Sequence, residues 1–134
     1  MLDASVVLKW FAPEQRGSFE ARELRMSYEA GRLSVVVPAL MFLELLNVAG
    51  RRWRWDEEAL GELADALDEL SFDVGEPELQ SVAAWVARGL TAYDAVYVAL
   101  AEERALPFVT DDETVLQLAA GISRPLVGGS PSAG

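Results

Sequence analysis

Hydrophobic and polar positions along this chain switch repeatedly between two periods. Short apolar, β-branched runs predict strands at 2–10 (around Val6-Val7-Leu8), 34–37, 72–74, 107–110 and 125–127. Segments of helical period lie between them, at 18–30, 39–49, from Asp56 onward, 77–88, 91–104 and 113–120. Pro13 places a turn after the first strand, and Gly31, Gly50 and Gly89 mark helix ends. Pro38 and Pro77 suit first helical turns, and Asp56 suits an N-cap. In the helix after Asp56, Leu60, Leu63, Ala64 and Leu67 share one face, opposite Glu58, Glu62, Asp65 and Glu69. Strands alternating with helices predict an α/β domain: three layers, with a mostly parallel central sheet flanked by helices. Its extent is 1–127, and the Gly/Ser/Pro-rich stretch 128–134 reads as a disordered tail. In such sheets, functional residues gather beyond the carboxyl ends of the strands.

Two helices break the amphipathic pattern. The segment Leu40-Met41-Phe42-Leu43-Glu44-Leu45-Leu46-Asn47-Val48-Ala49 is apolar almost all round, which predicts burial. Its polar members, Glu44 and Asn47, are three apart and share a face that Arg51 extends. The bland reading is a solvated stripe or a Glu44–Arg51 contact; the functional one is a carboxylate aimed into a cleft. The helix carrying Asp94 is likewise apolar beyond its first turn, and Thr91-x-x-Asp94 has the spacing of a capping box. Asp3 lies on or beside the first strand. Asp111 and Asp112 directly follow the strand at 107–110, where one of them is expected to cap the next helix, and Thr110-x-x-Glu113 is a second capping-box spacing.

Composition narrows the chemistry. The chain has 134 residues, with no Cys and no His, so disulfides, thiol nucleophiles, imidazole bases and zinc fingers are excluded. No apolar run reaches membrane-spanning length, and the start lacks the basic and apolar regions of a secretory signal, so a cytoplasmic protein without a membrane partner is expected. The net charge of −11 is uneven: residues 1–55 carry eight basic and six acidic side chains, and residues 56–134 three and sixteen. General attraction to nucleic acid is therefore disfavoured, and a nucleic-acid substrate would need local cations. Carboxylates gathered at one end of a parallel sheet repel one another and favour a hard divalent cation. Oxygen-only ligation suits Mg²⁺ or Mn²⁺, which typically handle phosphate esters.

Four blocks in order carry a family resemblance: Asp3-Ala4-Ser5-Val6-Val7-Leu8-Lys9-Trp10-Phe11; Val37-Pro38 through Glu44 to Val48; Leu90-Thr91-Ala92-Tyr93-Asp94 through Ala101; and Pro107-Phe108-Val109-Thr110-Asp111-Asp112. The chain resembles PIN-domain ribonucleases, in particular the VapC-type toxins of VapBC toxin–antitoxin pairs. The resemblance implies a PIN-like sandwich with catalytic, metal-binding acids at Asp3, Glu44, Asp94 and Asp112. It selects Asp112 over Asp111, and it implies pocket support from Ser5, Asn47 and Thr110. It further implies Mg²⁺- or Mn²⁺-dependent endonucleolytic hydrolysis of RNA, a homodimer, and inhibition by a cognate VapB-type antitoxin. Only Met1 and Leu2 precede Asp3, fewer apolar residues than is usual in the family, so Asp3 is expected to be less firmly held.

The segment Arg51-Arg52-Trp53-Arg54-Trp55 offers arginines for phosphate contact and tryptophans for stacking on bases; the alternative is a cationic loop at a protein interface. Lys9-Trp10-Phe11 reads equally as core, interface or substrate groove. Two other functions compete with the nuclease. One is a non-catalytic PIN-like interaction module binding a protein partner, its acids serving only as caps and surface stripes. The other is a phosphoryl-transfer or receiver-like domain, disfavoured because its Asp pair follows a late strand and Lys9 is the sole lysine.

Overall fold

The computed structural model describes residues 1–12 and 16–127; the turn expected at Pro13 and the tail 128–134 lie outside the described residues. In chain order the elements are α1 (Ala4–Leu8), α2 (Ser18–Glu29), β1 (Val36–Val37), α3 (Leu40–Arg51), α4 (Glu57–Leu70), β2 (Asp73–Val74), α5 (Leu79–Ala87), α6 (Ala92–Arg104), β3 (Phe108–Val109), α7 (Glu113–Leu118) and β4 (Ser123–Arg124). Every strand pairing among the described residues is parallel. β1 pairs with β2 in the register Val36–Asp73 and Val37–Val74, and β3 with β4 as Phe108–Ser123 and Val109–Arg124. Leu2 adds a parallel bridge to Val109. Helices cross over between partners, α3 and α4 from β1 to β2 and α7 from β3 to β4, as parallel pairing requires.

The first predicted strand shrinks to Leu2. The Val109 N–H donates to the Met1 carbonyl, and the Asp3 N–H donates back to the Val109 carbonyl at 3.0 Å; the chain then turns into α1. The β-branched pair Val6-Val7 suggested an extended run, yet both side chains are wholly buried from a helix. Tertiary burial overrides the local preference here. The last strand also moves, from the expected 125–127 to Ser123–Arg124. Phe108 N–H donates to Ile122 and Thr110 N–H to Arg124, and the ladder stops there because the next donor in register, the Leu126 N–H, goes to the Asp111 side chain. Gly50 lies inside α3, which runs on to Arg51.

α6 is the centre of the core. Ala95 and the run Tyr97–Val98–Ala99–Leu100–Ala101 are buried, and the Tyr97 ring stacks on Phe108 at 5.4 Å and 18°. α5 lies along α6, tied by Trp85 Nε1 donating to Glu102 Oε1 at 3.2 Å. On the other side Trp10, Phe72 and Tyr28 meet edge-on, which makes Trp10 a core residue; Lys9 and Phe11 are half-buried beside it. The all-apolar α3 is not buried all round: Leu43 is 65% exposed, and Asn47 and Arg51 are exposed with it.

α4 begins as expected, with Asp56 Oδ1 accepting from the Ala59 N–H at 2.9 Å. Because that bond is exposed and isolated, Asp56→Ala should lower stability by about 1 kcal/mol in urea unfolding, with Asp56→Asn nearly neutral. Equal stability of the alanine variant and the parent would show that the cap contributes nothing to α4.

Candidate metal centre

Three of the four candidate acids stand at helix starts. Asp3 is the N-cap of α1, Asp94 lies in the first turn of α6, and Asp112 is the N-cap of α7, where unpaired N–H groups and the helix dipole favour negative charge. Glu44 comes from within α3. The Asp3 side chain does not close its own helix. Its Oδ2 instead accepts from Thr110 Oγ1 at 2.7 Å and Ser5 Oγ at 3.0 Å. Thr110 is completely buried, and its Oγ1 also accepts from the Asp112 N–H at 3.1 Å. One hydroxyl thus links the acids of two chain ends, and Asp3 is firmly held in spite of its short lead-in. The Thr110–Glu113 capping box does not form; Asp112 Oδ1 caps α7 by accepting from the Val115 N–H at 3.0 Å. Thr91 Oγ1 accepts from the Asp94 N–H at 3.1 Å, the capping half of the expected box.

Electrostatics place the four acids in one neighbourhood. Burial pushes the Asp3 carboxyl above its usual range, its hydrogen bonds from Thr110, Ser5 and the Ala4 backbone oppose this, and Asp112 adds to the rise. Burial also raises Glu44, which a hydrogen bond from Tyr97 partly offsets, while Asp3 and Asp94 raise it further. Asp94 is raised by burial and then by Asp112 and Asp3. Asp3, Glu44 and Asp94 each lie near at least one other of these acids, although among the described residues no three His, Cys, Asp or Glu side chains converge closely enough to cage an ion. The donor set itself, carboxylates with two hydroxyls and neither sulfur nor imidazole, fits a hard divalent cation.

The remaining candidates divide. Ser5 and Thr110 sit in the acidic neighbourhood through Asp3. Asn47 is exposed and lines a shallow groove with Leu43, Leu46, Gly50, Arg51 and Leu60. Arg51, the last residue of α3, and Arg52 and Arg54 on the turn after it are exposed, with Arg54 in the left-handed region at φ 58°. Arg51 follows Glu44 by two helical turns, about 10 Å along the same face. Trp53 and Trp55 contact each other at 5.3 Å and pack half-buried against the chain's own core. Asp111 faces away from the other acids. Its Oδ1 accepts from the Leu126 N–H at 3.1 Å, and its Oδ2 lies 3.9 Å from Lys9 Nζ, which also donates to the Ser5 carbonyl at 3.2 Å. Both aspartates after β3 are thus structurally engaged. Sequence reasoning passed over Tyr97, whose hydroxyl donates to Glu44 Oε1. Its position one turn after Asp94 on an otherwise apolar helix was the available signal.

A family model for the PIN domain matches residues 1–121, and the chain belongs to the PIN-domain family. A solved structure, described as the crystal structure of PAE2754 from Pyrobaculum aerophilum, is similar to it at 26% sequence identity and a TM-score of 0.64, over 93% of this chain and 88% of that one. No curated protein matches the chain significantly. The fold is the PIN-like helix–sheet–helix sandwich, and PIN domains are generally nucleases that use divalent metals. No helix among the described residues is long and apolar enough to cross a membrane.

The raised carboxyls have a signed consequence. Asp3, Glu44 and Asp94 bind protons more tightly folded than unfolded, so their contribution to stability is full below the usual carboxyl values, 3.8 for Asp and 4.5 for Glu, and is lost as pH rises through the raised ones. In chelator, the stability gained by Asp94→Asn over the parent should be small near about pH 4 and grow toward about pH 7. Urea unfolding across that range measures it; a gap that stays constant or narrows would show that Asp94 is not strained by burial and its neighbours.

Proposed function

We propose that the protein is a Mg²⁺- or Mn²⁺-dependent endoribonuclease, acting as the toxin of a type II toxin–antitoxin pair. One observation carries the nuclease reading. Acids from four distant segments are tied together: Thr110 Oγ1 bonds both Asp3 Oδ2 and the Asp112 N–H, and Tyr97, on the helix that carries Asp94, holds Glu44 of α3. Carboxylates brought together in this way repel one another as well as losing hydration, and a hard cation would relieve both.

In this reading Asp3, Asp94 and either Glu44 or Asp112 hold the metal directly or through water. Ser5 and Thr110 keep Asp3 in place by holding Oδ2. Asp112 has one oxygen committed to α7, and so contributes through the other. The bound ion would supply Lewis-acid stabilisation of charge on the scissile phosphate. A carboxylate not committed to the ion orients the attacking water and accepts its proton. Arg51, Arg52 and Arg54 supply the local cations that a chain of net charge −11 needs to hold an RNA backbone.

The toxin assignment rests on the four ordered sequence blocks and their VapC-type pattern. A cognate VapB-type antitoxin and a second copy of the chain are the proposed protein partners. Large exposed apolar side chains such as Leu43 and Leu79 supply contact surface for them. The site of action is the cytoplasm.

Purified protein should cleave structured RNA in Mg²⁺ or Mn²⁺ and stop in chelator. Asp94→Asn should lose at least about a hundredfold in rate, in keeping with the several kcal/mol a catalytic ion contributes. Mapping of the new RNA ends by sequencing measures both. Cleavage that survives chelator, or that Asp94→Asn leaves intact, would overturn the metal mechanism. Absence of both cleavage and Mn²⁺ binding would leave the non-catalytic interaction module.

A further inference from the structure

The hydroxyl of Tyr97 is a polar atom placed deep in an apolar helix. The Tyr97 side chain is 1% exposed, and its ring is stacked against Phe108, itself 1% exposed, so neither ring can turn without opening the core. Its neighbours along α6, Val98, Ala99, Leu100 and Ala101, are all apolar and buried. A phenylalanine would fill the same space without a hydroxyl to satisfy. The hydroxyl's partner is Glu44 Oε1, on α3 and 53 residues away in sequence. Glu44 makes no other side-chain hydrogen bond among the described residues, so its second oxygen, Oε2, is uncommitted.

The donor is rigid and the acceptor is not. A glutamate on a half-exposed helix face has three rotatable side-chain bonds and would otherwise swing toward solvent. A phenol has one proton to give and gives it along a fixed direction when the acceptor is ionised. The bond therefore selects one Glu44 rotamer and occupies one carboxylate oxygen. Asp94 and Tyr97 are one turn apart on α6, so the helix that carries one acid of the cluster also orients another acid from α3.

We infer that Tyr97 is a positioning residue for the metal centre: its buried hydroxyl holds Oε1 of Glu44 and leaves Oε2 free for an ion. The inference rests on the metal-dependent reading given above. It explains why a tyrosine stands in the most buried stretch of α6.

The test is calorimetric titration of Mn²⁺ into the chelator-stripped full-length chain, comparing the parent, Tyr97→Phe, Glu44→Gln and the double variant. Removal of a group that orients a metal ligand should weaken Mn²⁺ binding about tenfold in Tyr97→Phe. In the Glu44→Gln background the same change should move affinity by less than about twofold, because no carboxylate remains to orient. If the parent binds Mn²⁺ and Tyr97→Phe binds it equally well, or if the loss is as large without Glu44 as with it, the hydroxyl serves only the core and the inference falls, while the nuclease reading stands. A parent that does not bind Mn²⁺ overturns that reading and this inference together. Should Tyr97→Phe fail to fold by circular dichroism in chelator, Glu44→Asp replaces it. The shorter carboxylate draws back from the hydroxyl of Tyr97 and is expected to weaken Mn²⁺ binding to a similar degree; affinity equal to the parent's would overturn the inference.

Discussion

Burying carboxylates beside one another is unfavourable twice over, through lost hydration and through mutual repulsion. Asp3, Glu44 and Asp94 bear both costs, and much of the local architecture consists of groups that offset them. Hydroxyl donors from Ser5, Thr110 and Tyr97 reach two of the acids. The starts of α1, α6 and α7 present their dipoles toward negative charge at three positions. Those devices hold the acids where the chain leaves Leu2 and β3 and where α6 begins.

The same devices bind distant parts of the chain together. Leu2 and Asp3 attach to β3 through the Val109 backbone, and Thr110, the next residue, reaches both Asp3 and Asp112. Asp111 points the other way, toward Lys9 and the Leu126 backbone, and so anchors α1 and the segment after β4. Adjacent aspartates thus act differently because the chain leaving β3 turns one toward Thr110 and the other toward Lys9. Stability and site geometry are coupled here: loosening Thr110 would disturb a sheet end, a helix cap and an acid at once.

Charge is divided along the same lines. The acidic second half of the chain includes Asp94 and Asp112, while the arginines of the turn after α3 are exposed two helical turns beyond Glu44. An excess of negative charge over most of the second half repels other polyanions in general.

Much of this was legible in the residues themselves. Helical period, the glycines at 31 and 89 and the caps at Asp56 and Thr91 located helices within a residue or two, because those signals are local: each depends on backbone conformation and on partners within one turn. Glu44 and Asp94 stood out against apolar surroundings for the same reason, whereas Asp112 was preferred to Asp111 only through the family resemblance. Other features had no local cause. Val6-Val7 favours a strand by itself and became helical because α1 packs its valines into the core. The choice between Asp111 and Asp112 depended on which faces Thr110 and which faces Lys9, a matter of where two segments a hundred residues apart come to rest. The Tyr97–Glu44 bond spans two helices, and Asn47, on the same stripe as Glu44, is exposed on a groove with Leu43 and Leu60. Sequence determines which residues can carry charge and where the chain turns; only packing decides which of those charges meet, since their meeting is set by the burial of other side chains.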